Sequence, residues 1–128
     1  MKNIRLALAT AMTVGIAGIA VSTLATPALA VSGGGCNGSA VRACVSVNNL
    51  KNVVADGYLN TVPSGCSRTS VSVRSNGSTV QSTGGGCSLG RITAVSTPYI
   101  AGRTYTSMVR VFNKSGGIIT EVISPNQY

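Results

Sequence analysis

Residues 69–82 read TSVSVRSNGSTVQS and give the clearest local indication of the fold in this 128-residue chain. Two runs that alternate apolar or β-favouring residues with polar ones flank the dipeptide Asn76-Gly77. Asn-Gly readily adopts the two positive φ angles of a type I′ turn, and alternation with a period of two is typical of a half-buried strand. The stretch therefore predicts a β-hairpin.

Short β-like runs continue on both sides of this hairpin, and none shows helical periodicity. Residues 41–47 alternate so that Cys44, with Arg42 and Ser46, lies on the outer face of a predicted strand. Asp56-Gly57 interrupts the next run, where the sequence is compatible with either a bulge or a tight turn. Further runs follow at 91–96, 103–112 and 118–124. About seven short strands at this spacing predict an all-β protein with a single β-sandwich.

The N-terminus has the pattern of an export signal. Lys2 and Arg5 precede a long apolar stretch that ends in the A-x-A sequence at residues 28–30. We expect cleavage after Ala30, a secreted, extracellular protein, a flexible segment over 31–40 and a disulfide-stapled domain over 41–128. The alternative is an uncleaved membrane anchor, because the stretch approaches spanning length. No other long apolar run occurs, so no membrane span is expected after cleavage.

The charge balance argues against most enzyme chemistries. The chain has ten Lys and Arg, two acids, no His and a net charge of +8. Eight of the basic residues and both acids, Asp56 and Glu121, lie beyond residue 30, which gives the expected mature domain a charge of +6. The groups used for acid–base, nucleophilic and metal catalysis are therefore scarce. The sequence predicts no catalytic residue, no metal and no cofactor; a glycosidase would need Asp56 and Glu121 as its pair.

Four cysteines, Cys36, Cys44, Cys66 and Cys87, form an even set in a chain with an export signal, which favours disulfides. Three pairings are possible, and Cys36–Cys44 with Cys66–Cys87 is favoured because neighbours along the chain close the shorter loops. A zinc tetrad or a redox pair is the alternative. No C-x-x-C occurs, and the spacings match no common zinc module.

Residues 99–117, YIAGRTYTSMVRVFNKSGG, resemble the last hairpin of fibronectin type III and related immunoglobulin-like domains. In those families a Tyr opens a strand after a Gly turn, alternating apolar residues follow, and an Asn-x-x-Gly turn reverses the chain. The resemblance implies an immunoglobulin-like sandwich in which Tyr105 is the corner tyrosine, with its ring inward and its hydroxyl bonded to nearby backbone. The sequence departs from the pattern at Ser107, where an apolar residue is expected, and it has no core Trp.

The overall layout also resembles a second group of proteins. An export signal before a domain rich in Ser, Thr and Gly, with two disulfides, is similar to small secreted proteins of actinobacteria. Several of those are inhibitors or subunits of secreted antibacterial assemblies, so the resemblance implies a binding role.

Strand parity and loop composition give two sets of partner-binding residues. Met108, Arg110 and Phe112 share the predicted outer face of one strand, and Met, Arg and Phe are enriched in protein interfaces. The alternative is that the chain's own termini or loops cover this face. The loops around the cysteines offer Arg68 or Leu89 as the anchor of a braced inhibitory loop, because preorganisation reduces the entropy lost on binding. The glycines in these loops act against such bracing.

The sequence thus predicts a non-catalytic binding module of a basic, secreted protein. Its partner is either a protein or an anionic cell-surface polymer attracted by the dispersed positive charge, and the module could be one subunit of a secreted assembly. The alternative is a proteinaceous inhibitor of a secreted protease or glycosidase. Nucleic acid is not expected, since the basic residues are scattered singly with few aromatic neighbours. The oligomeric state is left open.

Overall fold

Eight β-strands form the regular structure of residues 31–128, the part of the chain that the computed structural model describes. They are β1 (Gly35–Asn37), β2 (Val41–Val47), β3 (Asn52–Leu59), β4 (Arg68–Ser75), β5 (Ser78–Gly85), β6 (Gly90–Pro98), β7 (Tyr105–Phe112) and β8 (Ile118–Ile123). This region contains no helix, and therefore none that could cross a membrane. The expected export signal, residues 1–30, lies outside the described residues.

The strands form two antiparallel sheets of four. Sheet 1 has the order β1-β2-β3-β6, and sheet 2 has the order β5-β4-β7-β8. The β2–β3, β4–β5 and β7–β8 pairs are hairpins, whereas the β3–β4, β5–β6 and β6–β7 connections pass from one sheet to the other. The predicted all-β sandwich is confirmed, with eight strands where the sequence predicts about seven.

The additional strand, β1, lies in the segment 31–40 that the sequence predicts to be flexible and outside the sandwich. Cys36 of β1 lies directly opposite Cys44 of β2. Gly34 donates a backbone hydrogen bond of 2.6 Å to the carbonyl of Asn126, and Ser32 donates one of 3.2 Å to that of Tyr128. Residues 33–35 all have positive φ, which glycine adopts without strain. Here the glycines let the segment follow the C-terminus and join the sheet.

The hairpin predicted from the opening stretch is present. Asn76 and Gly77 have φ angles of 51° and 87°, both positive as a type I′ turn requires. Strand β5 extends beyond the stretch 69–82, because Gly84 and Gly85 continue the strand. A Cβ at Gly85 would clash with Cγ2 of Ile92 in β6 and would lie 2.9 Å from Oγ1 of Thr69 in β4, so the close approach of both side chains explains the glycine there.

A small core, composed mainly of valine, lies between the sheets. Alternate residues of β2, β3, β4 and β7 point inward, as their burial patterns show. The buried apolar residues of this cluster are Val41, Ala43, Val45, Val53, Ala55, Leu59, Val71, Val73, Tyr105, Val109 and Val111. Their side chains are mostly short, so the sheets approach closely.

The Asp56-Gly57 interruption is a β-bulge, since the register of β3 against β6 shifts between Gly57 and Tyr58. A Cβ at Gly57 would lie 2.6 Å from Cγ2 of Val109 and 3.0 Å from Cγ2 of Val71. Both valines belong to the opposite sheet. The glycine therefore leaves the room that the facing sheet occupies.

Tyr105 opens β7 and is only 1 % exposed. Its hydroxyl accepts a hydrogen bond of 2.9 Å from the Ile100 N–H and donates one of 3.4 Å to the Pro98 carbonyl. These bonds tie the β6–β7 connection to the core.

Ser107, at the position where an apolar residue is expected, is also buried. Its N–H donates to Oγ of Ser124 at 2.8 Å, and its hydroxyl donates to the Asp56 carbonyl at 3.4 Å. Hydrogen bonding therefore offsets the burial of these polar groups.

Candidate functional site

A concave surface with a cavity volume of about 480 Å³ lies on the outer face of sheet 1, and we call it the sheet-1 pocket. The Cys36–Cys44 disulfide and the N-terminal glycine segment line part of it. Its polar side chains are Arg42, Ser46, Asp56, Tyr58, Asn60 and Gln127. The volume is within the range of small-molecule sites, which combine a concave surface with a few converging polar groups.

The register of sheet 1 brings these residues together in two adjacent rows. One row runs across β1, β2 and β3 from Cys36 to Cys44 to Asp56. The next row runs across β2, β3 and β6 from Arg42 to Tyr58 to Arg91. Because side chains two apart along a strand share a face, the pocket combines a disulfide, a carboxylate, a phenol and the guanidinium of Arg42, while Arg91 lies beside it and outside its lining.

Asp56 is the centre of a polar network. Its Oδ2 accepts a hydrogen bond of 3.0 Å from the Tyr58 hydroxyl and one of 3.1 Å from Nη2 of Arg91. The hydrogen bond to Asp56 raises the pKa of Tyr58, and partial burial of the phenol acts in the same direction. Tyr58 is therefore a neutral donor at physiological pH, and its bond to Asp56 fixes its hydroxyl beside the carboxylate.

Arg42 differs from Arg91 in having no acidic partner. The ion pairs within residues 31–128 are Arg91–Asp56 at 3.1 Å and Arg110–Glu121 at 2.6 Å. Nε of Arg42 is buried and has no hydrogen-bond partner among the described residues. The pocket is therefore lined by one cationic group that the chain itself does not neutralise.

Both disulfides have the pairing that the sequence favours. Cys36 is bonded to Cys44 with a Cα–Cα distance of 4.0 Å, and Cys66 is bonded to Cys87 with a distance of 6.1 Å. The first bond lines the sheet-1 pocket. The second joins the β3–β4 connection to the β5–β6 connection, at the opposite end of the sandwich from the Asn76-Gly77 turn.

The stripe of Met108, Arg110 and Phe112 lies on the outer face of sheet 2, as strand parity predicts, but the chain itself covers Met108. Met108 is 6 % exposed, because β7 lies between β4 and β8, whose residues flank it on both sides. Arg110 is paired with Glu121. Phe112 is half-buried, with the guanidinium of Arg68 3.9 Å from its ring centroid. Contacts within the chain thus occupy each member of the stripe.

The two inhibitory-loop anchors lie in different environments. Arg68 is the first residue of β4 and rests on Phe112, so its guanidinium already has a partner within the chain. Leu89 lies in the β5–β6 connection two residues after Cys87, and it is 67 % exposed. Both residues are exposed, so exposure does not separate them, whereas the contact with Phe112 already occupies the guanidinium of Arg68.

The structure does not bring together the carboxylates that a glycosidase would require. Asp56 lies on the outer face of sheet 1, whereas Glu121 lies on the outer face of sheet 2 beside Arg110. Across residues 31–128 there is also no cluster of three or more His, Cys, Asp or Glu side chains that could hold a metal ion.

Strand alternation places Arg42, Cys44 and Ser46 on the outer face, but sequence reasoning does not identify the pocket. The Asp56-Gly57 interruption obscures the parity of Asp56 and Tyr58. Gln127 lines the pocket through a bridge between its backbone and Gly33, which is 94 positions away in the chain, and no local signal indicates such a contact.

Comparison with protein-family models, curated proteins and solved structures finds no match for this chain.

Proposed function

We propose that this protein is a secreted, non-catalytic binding module that engages an anionic extracellular polymer. The observation that carries the proposal is the state of its charges. Both acids are paired with arginines, and six basic side chains within residues 31–128 form no ion pair. These six are Arg42, Lys51, Arg68, Arg74, Arg103 and Lys114. Uncompensated cations attract a polyanion over distances set by the ionic strength.

Three of the six cations lie at one end of the sandwich. Lys51 is in the β2–β3 connection, Arg103 is in the β6–β7 connection, and Arg74 is at the end of β4 beside the Asn76-Gly77 turn. Backbone hydrogen bonds hold these connections together, from Tyr99 N to Lys51 O at 2.9 Å and from Asn76 N to Thr104 O at 2.8 Å. A long polyanion could contact this end and an outer sheet face at once.

The structure gives less support to a protein partner at the Met108 stripe, since its members are buried or paired within the chain.

Two formed disulfides suggest an oxidising compartment, which supports secretion together with the expected export signal. The contacts of Tyr105 and the connections that cross between the sheets support assignment of the sandwich to the immunoglobulin-like class.

Binding to a polyanion should depend on salt. We expect the exported protein to co-sediment with carboxymethyl-cellulose but not with unmodified cellulose, with an affinity that falls about tenfold or more between roughly 0.02 and 0.2 M NaCl, as screening shortens the range of the attraction. A Lys51→Gln/Arg103→Gln/Lys114→Gln variant, which leaves both ion pairs intact, should bind more weakly and depend less on salt. Equal binding to both celluloses, or binding that salt does not change, would contradict the proposal.

A hydrolase inhibitor is the second candidate function, and the exposure of Leu89 beside the Cys66–Cys87 bond is the observation that favours it. Titration of the protein into serine proteases and amylases separates the two functions. The polymer-binding module leaves every rate unchanged. Nanomolar inhibition that Leu89→Ala abolishes would establish the inhibitor instead.

A further inference from the structure

We infer that the sheet-1 pocket binds a sugar unit that carries an anionic group, with Arg42 as the residue that holds the anion. This inference deepens the proposed function and rests on it, because the pocket would hold one unit of the anionic polymer. It identifies the recognition site and the chemical class of the unit, which the diffuse charge of the domain does not.

Within residues 31–128, Arg42 has a buried Nε without a hydrogen-bond partner and no acidic partner to neutralise its charge. Buried polar atoms nearly always have a hydrogen-bond partner, and those that lack one in a native structure call for an explanation such as a missing ligand. Arg74 also has a buried Nε without a partner, but its Nη2 donates to the Gly77 carbonyl, and Arg74 does not line the pocket. Arg42 lines the pocket opposite Tyr58, so an anion bound there would neutralise its charge and accept hydrogen bonds from its guanidinium.

Hydrogen-bond acceptors line the pocket together with Arg42. The amide nitrogen of Asn60 donates to the Ser39 carbonyl at 2.7 Å, and that of Gln127, which is 4 % exposed, donates to the Ser32 carbonyl at 2.8 Å. These bonds use amide donors and leave side-chain oxygens as acceptors, in addition to the Asp56 carboxylate.

A ligand for this lining must therefore supply both an anion and hydrogen-bond donors. An isolated inorganic anion offers Arg42 its charge but offers the acceptors little. A hydroxylated ring with one anionic substituent offers both, since every hydroxyl donates as well as accepts. The volume of about 480 Å³ also exceeds what a single inorganic ion needs.

A rigid surface lies beside these polar groups. The Tyr58 hydroxyl is fixed by its bond to Asp56, and the Cys36–Cys44 bond holds β1 against β2. The ring of Tyr58 and the sulfur atoms offer apolar area for the C–H face of a sugar. Because these groups are already ordered, binding costs less conformational entropy than it would in a mobile loop.

The inference is tested by equilibrium titration of the exported protein, monitored by NMR, with four probes. These are D-glucuronate, D-glucose 6-phosphate, D-glucose and inorganic phosphate. We expect saturable binding of at least one anionic sugar, about tenfold tighter than binding of glucose and of inorganic phosphate. The first two probes show whether carboxylate or phosphate is preferred. Phosphate that binds as tightly as both anionic sugars would overturn the inference and indicate a simple anion site.

Variants locate the site. Arg42→Gln should lower the affinity for the anionic sugar about tenfold, to the level of glucose, while Arg42→Lys should retain part of it because the charge remains. Arg68→Gln is the matched control, since it removes an equal charge from an exposed arginine of sheet 2 that does not line the pocket, and it should leave the affinity for the monomeric sugar unchanged. Thermal unfolding of each variant checks that folding is intact. An Arg42→Gln variant that binds as tightly as the unchanged protein would overturn the inference.

Binding of the polymer and binding of the monomeric sugar, measured separately, distinguish failure of the pocket from failure of the proposed function. Salt-dependent binding of carboxymethyl-cellulose without binding of any monomeric anionic sugar would reject the sheet-1 pocket and leave the polymer-binding function standing. Binding of the monomer through Arg42, without binding of the polymer, would support the pocket and reject the polymer as its source.

Discussion

Replacing Cys66 and Cys87 together by alanine should lower the free energy of unfolding by about 3 kcal/mol. The two residues are 21 positions apart, and the loop-closure entropy of a cross-link over that distance corresponds to about 3.4 kcal/mol. Loss of a native disulfide from a small domain costs about 2–5 kcal/mol. Cys66 also packs against the core, so its removal costs contacts as well as chain entropy. The melting temperature should fall by roughly 12–24 °C.

Denaturant unfolding of the oxidised variant measures this change, and the matched control is the Cys36→Ala/Cys44→Ala variant. That pair is separated by only eight positions and joins strands that are already neighbours. Its removal should cost less, about 2.6 kcal/mol on the same model. If the shorter cross-link proved the more costly to lose, loop closure would not be the main source of stabilisation.

The substitution Gly57→Ala should lower the free energy of unfolding by about 1–3 kcal/mol, because it overfills the core between the sheets. The added methyl group would meet Cγ2 of Val109 at 2.6 Å and Cγ2 of Val71 at 3.0 Å. Valine side chains have few rotamers and cannot turn away, so relief requires the two sheets to move apart. Because the core is closely packed, such a movement reduces contacts across the whole interface.

Gly86→Ala is the control for this prediction. A Cβ at Gly86 has no neighbour within 4 Å, and Gly86 does not have a positive φ. Its replacement should leave stability unchanged or raise it by up to about 1 kcal/mol, because alanine restricts the unfolded chain. Equal losses for the two variants in chemical unfolding would show that the contact between the sheets is not what excludes a side chain at Gly57.

The sequence predicts the features of this fold that depend on nearby residues. Asn76-Gly77 forms its turn with neighbours in the chain, and its two positive φ angles follow from the residue types. The preference for Cys36–Cys44 and Cys66–Cys87 also rests on chain proximity, and both bonds are present. The alternation of residues 41–47 correctly places Cys44 on the outer face, where β1 reaches it.

Features that depend on distant parts of the chain are not predicted. Strand alternation correctly places Met108 on the outer face of β7. Whether that face is exposed depends on the strands beside β7, and Met108 is buried between them. The sheet-1 pocket requires the pairing of β1, β2 and β3, and Gln127 from the C-terminal segment lines it as well. A glycine-rich stretch normally indicates flexibility, whereas here the C-terminal backbone binds residues 32–34.

The central claim is that the outer face of sheet 1 recognises an anionic sugar, and mapping of amide chemical shifts tests it most directly. Titration with an oligogalacturonate should shift the amide signals of residues 42–46, 56–58 and 33–35, which surround the sheet-1 pocket. The signals of residues 87–90 and of β8 should not move. Shifts confined to the Leu89 loop or to the outer face of sheet 2, with the pocket signals unchanged, would contradict the claim.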